Sequence, residues 1–252
     1  MNQIIINNHT PLGDDKNTFA SNTFSVFVNN PKKIIKIGIS VEGQTEAFFI
    51  KYVLSRYLRN HNIILGEPVV LGGNVTFPRI SSVLSLLETQ YDYVTCLYDF
   101  YGFDGKEEVD TYESLVGKIK NDNIFRNKDK IIPYIQMYEF EALLFSDINA
   151  MCKHFYNDPK EMEQCNRLLS AALAGKTPET INDSILTAPS KRIHRIFKRY
   201  KKSLYGYVIA QEIGVEKIKS MCPKFSNWID NLIRLNSEEH QANIQENSYP
   251  LL

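Results

Sequence analysis

The first strong pattern along the chain is a β-branched apolar run, Ile34, Ile35, Ile37, Ile39 and Val41, that stops abruptly at Glu42 and Gly43. Such a run suits a strand buried on both faces, and the glycine offers the freedom of a tight turn. Ile50, Val53, Leu54, Tyr57 and Leu58 then recur at helical spacing, which predicts a helix directly after the turn. The alternation continues. A short strand is expected over 68–71, ending in the flexible Gly72-Gly73-Asn74, and a helix over 77–87. Residues 92–99 have the aromatic and β-branched content of a central strand, 107–120 read as a polar amphipathic helix, and 131–137 as a fourth strand. Strands alternating with helices imply βαβ units, so the expected fold class is α/β, a mainly parallel sheet flanked by helices.

Beyond Glu139-Phe140-Glu141-Ala142-Leu143-Leu144-Phe145-Ser146-Asp147 the strand signal disappears, and helices follow one another to about Leu235. Pro178, Pro189 and Pro223 fall near helix starts, where a missing N–H does least harm. The expected division is an N-terminal extension over 1–31, an α/β domain over 32–147, an all-helical domain over 148–236 and a polar tail over 237–252. Within the extension, Phe24, Val26 and Val28 form a weak alternating strand.

With 252 residues, 43% of them hydrophobic, the chain can bury a full core, and no apolar run approaches the roughly 18 residues of a membrane span. The beginning of the chain lacks a secretory-signal pattern, so a cytoplasmic location with no membrane partner is expected. Cys96, Cys152, Cys165 and Cys222 show no CxxC spacing and read as reduced, partly buried thiols, with neither disulfide nor zinc expected. The formal net charge is zero, so nucleic-acid binding would have to come from a local patch. One region offers it. Ala188-Pro189-Ser190-Lys191-Arg192 opens a predicted helix with Lys191, Arg195, Lys198 and Lys202 on one face and Ile193, Ile196, Phe197, Tyr200 and Leu204 on another. No acid occurs between Asp183 and Glu212, which makes Lys191, Arg192, Arg195 and Lys198 candidates for a phosphate backbone, the alternative being a solvated helix face. Gly175-Lys176-Thr177 looks like the end of a phosphate-binding loop, but Ser170 stands at the first glycine's place and no strand precedes it.

The candidate chemistry lies in acids at strand ends. Glu42, Asp99 and the pair Glu139 and Glu141 each follow an expected strand, and a parallel sheet brings such ends to one edge. Carboxylates crowded there repel and desolvate unless something positive compensates, most simply a divalent cation. Oxygen-only ligands favour Mg²⁺ or Mn²⁺ over zinc, and such an ion suits phosphodiester hydrolysis. The alternative is that these acids merely cap helices. In a helix, Glu139 and Glu141 would point about 200° apart, so one sits beside the sheet edge and the other in solvent.

The motifs Val41-Glu42-Gly43-Gln44-Thr45-Glu46, Leu97-Tyr98-Asp99-Phe100-Tyr101-Gly102, the Glu139–Asp147 segment, Pro189-Ser190-Lys191-Arg192 and Cys222-Pro223-Lys224-Phe225-Ser226-Asn227-Trp228 occur in order over about 34–235. Together they resemble a Toprim-like bacterial family labelled as a domain of unknown function and related to defence-associated Toprim nucleases. The resemblance implies a Toprim-like fold with an acid after the first strand and an Asp-x-Asp after the third, binding magnesium. Glu42 and Asp99 take those places; Tyr101 stands where the second aspartate would be, leaving Asp104 or Glu46 as substitutes. Phe140-Glu141 matches a Phe-Glu that related proteins carry before an apolar helix, which selects Glu141 of the pair. The implied activity is a Mg²⁺- or Mn²⁺-dependent nuclease acting on DNA or RNA in antiviral defence. Its catalytic set would be Glu42, Glu46, Asp99, Glu141 and Lys191, with Glu42, Asp99 and Glu141 on the metal. An ABC-type ATPase is the implied partner. The competing expectation, a non-catalytic partner or regulatory subunit of that ATPase, is kept open by Tyr101.

Overall fold

The computed structural model describes residues 33–182 and 185–236. The expected extension over 1–31 and tail over 237–252 lie outside the described residues. Strands β1 (Ile35–Val41), β2 (Ile63–Leu65), β3 (Val69–Val70), β4 (Tyr93–Asp99) and β5 (Ile131–Gln136) form one parallel sheet in the order β2-β1-β4-β5, with β3 also paired to β1. The α/β class, with a helical C-terminal part, is as the pattern predicts. β2 was not expected, because three apolar residues are too few to show a period.

Between the strands run α1 (Gln44–Phe49), a π-helical turn over Ile50–Leu54 and α2 (Ser55–Arg59), then α3 (Phe77–Glu88) and α4 (Tyr112–Lys120). The expected helix from 107 starts late because Thr111 and Ser114 form a capping box: Ser114 N–H donates to Thr111 Oγ1 at 3.2 Å, and Thr111 N–H to Ser114 Oγ at 2.9 Å. After β5 a 3₁₀ segment, Phe140–Ser146, leads into α5 (Ile148–Phe155), α6 (Pro159–Leu173), α7 (Pro189–Ile196), α8 (Lys202–Ile213), α9 (Val215–Met221) and α10 (Pro223–Arg234).

The pleat divides the core by alternate residues. Val94, Cys96 and Tyr98 of β4 and Ile131 and Ile135 of β5 meet Leu84 and Leu87 of α3 and Leu115 and Ile119 of α4. On the opposite face, Ile35, Ile37, Ile39 and Val41 of β1, Leu97 of β4 and Tyr134 of β5 join a larger core with α1 and the C-terminal helices. β1 is thus apolar toward one layer only. Toward the other it presents Gly38, where an added Cβ would meet the Tyr91 ring at 2.7 Å.

The C-terminal helices are tied to the sheet by polar anchors as well. Trp228 of α10 stacks on Tyr134 with centroids 4.5 Å apart, and its indole N–H donates to Thr95 Oγ1 at 2.8 Å. Proline occupies the first turn of α7 and α10, but the residues before it, Ala188 and Cys222, supply no side-chain cap. Distant glutamates do so instead. Glu139 accepts the Ser190 N–H at 3.0 Å, and Glu179 accepts those of Lys224 and Phe225, both at 2.9 Å.

Two expectations are overturned here. The helix drawn through 188–204 ends at Ile196, and a new one starts at Lys202, so Lys202 does not share a continuous face with Lys191, Arg195 and Lys198. Phe197 and Tyr200, between the two helices, are buried. Cys152 and Cys165, expected to be reduced thiols, are joined in a disulfide between α5 and α6. Helix packing, which their spacing of 13 residues does not encode, brings them together. Cys96 and Cys222 are free and buried, and burial pushes each thiol up to about 12.

Candidate functional site

The chain passes from β1 to β2 and β3 on one side of the sheet and later to β4 and β5 on the other, so the strand order reverses between β1 and β4. At such a switch point a crevice opens beyond the carboxyl ends of the strands. β1 ends into Glu42 and β4 ends on Asp99, and Glu42 Oε2 accepts the backbone N–H of Asp99 at 3.1 Å. The two acids are locked together by backbone geometry. Gly102 makes room for them: a Cβ there would lie 2.1 Å from Glu42 Oε2. Gly43, by contrast, has an extended backbone open to any residue, and an added Cβ would instead crowd Glu46 Oε2 at 3.1 Å.

Glu46 joins from the first turn of α1, where Oε2 accepts the Gly43 N–H at 3.0 Å. Glu141 joins from the 3₁₀ segment after β5, accepting a hydrogen bond from the Tyr200 hydroxyl at 3.2 Å. At the centre stands a residue the sequence reading had placed elsewhere. Lys202 Nζ lies 3.0 Å from Asp99 Oδ2, 3.3 Å from Glu141 Oε2 and 3.4 Å from Glu46 Oε1. The carboxylate side chains it meets are at most 5% exposed, whereas the lysine side chain is 38% exposed, so Lys202 stands on the solvent side of an acidic pocket with its ammonium turned in.

Charge does not balance inside. Four carboxyl groups, those of Glu42, Glu46, Asp99 and Glu141, face one ammonium. Burial holds the Asp99 carboxyl well above the usual carboxylate range, opposed by Lys202 and reinforced by Glu46, Glu42 and Glu141. Burial likewise raises Glu141 and Glu42, the latter opposed by its bond from Asp99 N–H. Burial alone would lower the Lys202 ammonium, but Asp99, Glu141 and Glu46 outweigh it and hold the group firmly charged. Glu46 Oε1, Asp99 Oδ1 and Glu141 Oε2 are buried without a hydrogen-bond donor. Such oxygens ordinarily find a partner.

A scan against protein families matches residues 41–233 to the family described as "Domain of unknown function (DUF4276)". The chain belongs to this family. The matched span includes every member of the DUF4276 chain's acidic pocket and Lys202. No curated protein matches it. Among solved structures, the C-terminal region of the Burkholderia pseudomallei OLD protein is similar at 13% identity and a TM-score of 0.45, over 79% of this chain and 98% of that one. The C-terminal region of the Xanthomonas campestris pv. campestris OLD protein is similar at 16% identity and a TM-score of 0.41, over 81% and 97%.

In this DUF4276 protein the fold gathers Glu42, Glu46, Asp99 and Glu141, whereas the candidate bases lie differently. Lys191 Nζ donates to the Ile185 carbonyl at 2.9 Å, Arg192 Nε to that of Thr187 at 2.6 Å and Arg195 to that of Leu186 at 3.5 Å. These side chains fasten the turn Ile185–Thr187, and Lys198 is exposed. Glu139, expected in solvent if Glu141 faced the sheet, is half-buried as the cap of α7. Of the substitutes for a second aspartate, Glu46 is in the pocket and Asp104 is exposed. Tyr101 holds its hydroxyl against the Asn182 amide. Tyr200 and Lys202 were missed as partners of the acids because their segment carries neither Gly nor Pro to mark the helix break.

Among the described residues no group of three or more His, Cys, Asp or Glu side chains is placed so that it could hold a metal ion as it stands. The donor chemistry of the pocket nevertheless suits a hard divalent cation, since its own buried oxygens without donors, on Glu46, Asp99 and Glu141, are all carboxylate. No helix among the described residues is long and apolar enough to cross a membrane.

Proposed function

We propose that this DUF4276 protein is a divalent-metal-dependent nuclease of Toprim-like type, with Glu42, Asp99 and Glu141 holding Mg²⁺ or Mn²⁺ and Glu46 assisting. The observation that carries the reading is the surplus of buried carboxylate at the sheet's switch point, with donor-less oxygens on Glu46, Asp99 and Glu141. A bound cation there would polarise a phosphoryl oxygen and activate water. The protein's own part is to fix the ligands: Asp99 N–H orients Glu42, Gly43 N–H orients Glu46 and Tyr200 orients Glu141. Nucleic acid, DNA or RNA, is the proposed substrate, with Lys198 and its basic neighbours as backbone contacts. Antiviral defence and an ABC-type ATPase partner complete the proposal.

A second reading, a non-catalytic partner of such an ATPase, is favoured by Lys202, which already neutralises part of the pocket, and by Tyr101 in place of an acid. One assay separates them. The protein is incubated with single-stranded and duplex DNA and with structured RNA, in Mg²⁺, Mn²⁺ or EDTA, with and without an ATPase encoded beside its gene. Metal-dependent cleavage that Glu42→Gln and Asp99→Asn each abolish is expected, with Mn²⁺ supporting it better than Mg²⁺. Manganese is favoured because magnesium tolerates an incomplete octahedron less well. Stable ATPase binding with no cleavage and no metal bound would establish the second reading.

A further inference from the structure

We infer that the Lys202 ammonium and a divalent cation are alternative occupants of one carboxylate pocket, so that Lys202 must swing out for a metal to enter. The inference rests on the metal-dependent reading and adds a gate to it. Nζ is within 3.4 Å of a carboxylate oxygen from each of Glu46, Asp99 and Glu141, which come from α1, β4 and the segment after β5. Those groups are the ones a hard cation would need. Asp99 Oδ1 has no donor, and Glu46 Oε1 and Glu141 Oε2 meet the lysine without a hydrogen bond of good geometry. The ammonium therefore satisfies the pocket's charge in part and its directional needs poorly.

Geometry allows exchange. Lys202 is the first residue of α8, whose body is fixed against α1 and the 3₁₀ segment: a Cβ on Gly206 would meet Thr45 Cγ2 at 3.0 Å and Phe140 Cε1 at 3.2 Å. Its side chain, by contrast, is over a third exposed, which gives a flexible lysine a solvent side to turn toward. Glu46 and Glu141 are each tied in place by a hydrogen bond, from Gly43 N–H and from the Tyr200 hydroxyl. A divalent ion drawing on the Asp99, Glu141 and Glu46 oxygens that lie within 3.4 Å of Nζ would take the ammonium's place among them, so entry of the ion and departure of the ammonium are coupled. A polyanionic substrate at the mouth would favour the same outward position by offering the ammonium a phosphate.

The test uses manganese alone as probe, with no nucleic acid. Calorimetry measures Mn²⁺ affinity of the full chain and of Lys202→Gln. In parallel, the wild-type chain is reductively methylated with and without Mn²⁺, and modification at Lys202 is read by mass spectrometry. Loss of the competing cation is expected to tighten Mn²⁺ binding at least tenfold in Lys202→Gln, and Mn²⁺ is expected to raise methylation of Lys202 in the wild type several-fold. The labelling arm stands even if the variant fails to fold. Equal or weaker binding by a folded Lys202→Gln, or Lys202 equally protected with and without bound Mn²⁺, overturns the gate while leaving the metal reading intact. No Mn²⁺ bound by either protein overturns both.

Discussion

At the scale of single residues, the pocket is a set of acids kept where their charge is costly. An isolated aspartate titrates near 3.8, and burial holds Asp99 well above this despite Lys202. Between those values the folded protein binds a proton that the unfolded chain has lost. Asp99's contribution to stability therefore falls as pH rises through that window. Asp99→Asn removes the effect. In EDTA the variant is expected to melt a few degrees above the wild type at pH 7.5, given roughly 2–4 °C per kcal/mol for a domain of this size. The advantage should shrink toward pH 4, as thermal melts across pH will report; an advantage that grows on acidification would contradict the assignment. Gly102 offers a second test, because any Cβ displaces the Glu42 carboxylate that Asp99 N–H orients. Gly102→Ala should weaken Mn²⁺ binding and cleavage by about 10–100-fold, as losing the support of a metal ligand does. Calorimetry and initial rates measure both.

At the scale of elements, the position of α8 decides where Lys202 stands. The helix approaches α1 closely because Gly206 has no side chain between Thr45 and Phe140. Gly206→Val should force them apart, costing about 1–3 kcal/mol as overpacking commonly does. Urea unfolding gives the stability change, and Mn²⁺ affinity in the same variant reports whether the pocket loosens with the helix. An unchanged midpoint would mean that α8 accommodates the added methyls and is not held by this contact. Capping gives a related lesson. The prolines at 189 and 223 were legible as helix starts, but their caps, Glu139 and Glu179, lie 51 and 45 residues away from Ser190 and Lys224. Local sequence cannot announce a cap that arrives through the fold.

At the scale of the whole molecule, the single tryptophan sits where sheet and C-terminal helices meet, stacked on Tyr134 of β5 and bonded to Thr95 of β4. A shared core behind it predicts that helices and sheet unfold together. Trp228 fluorescence and far-ultraviolet circular dichroism should give coincident denaturation curves; a fluorescence transition preceding the loss of helix would show that the C-terminal part opens alone. By itself the sequence determined the strand–helix alternation, the parallel sheet and the acids at strand ends, because period and turn chemistry are local properties. Glu42 and Asp99 were legible for that reason, and so was Glu141 through its motif. What only the tertiary structure decided were the contacts between segments far apart in the chain. The break between Ile196 and Lys202, with Phe197 and Tyr200 buried within it, carries Lys202 off the basic face into the acidic pocket. The Cys152–Cys165 bond depends on how α5 packs on α6. In each case the energy comes from partners more than a helical turn away, which no window of sequence contains.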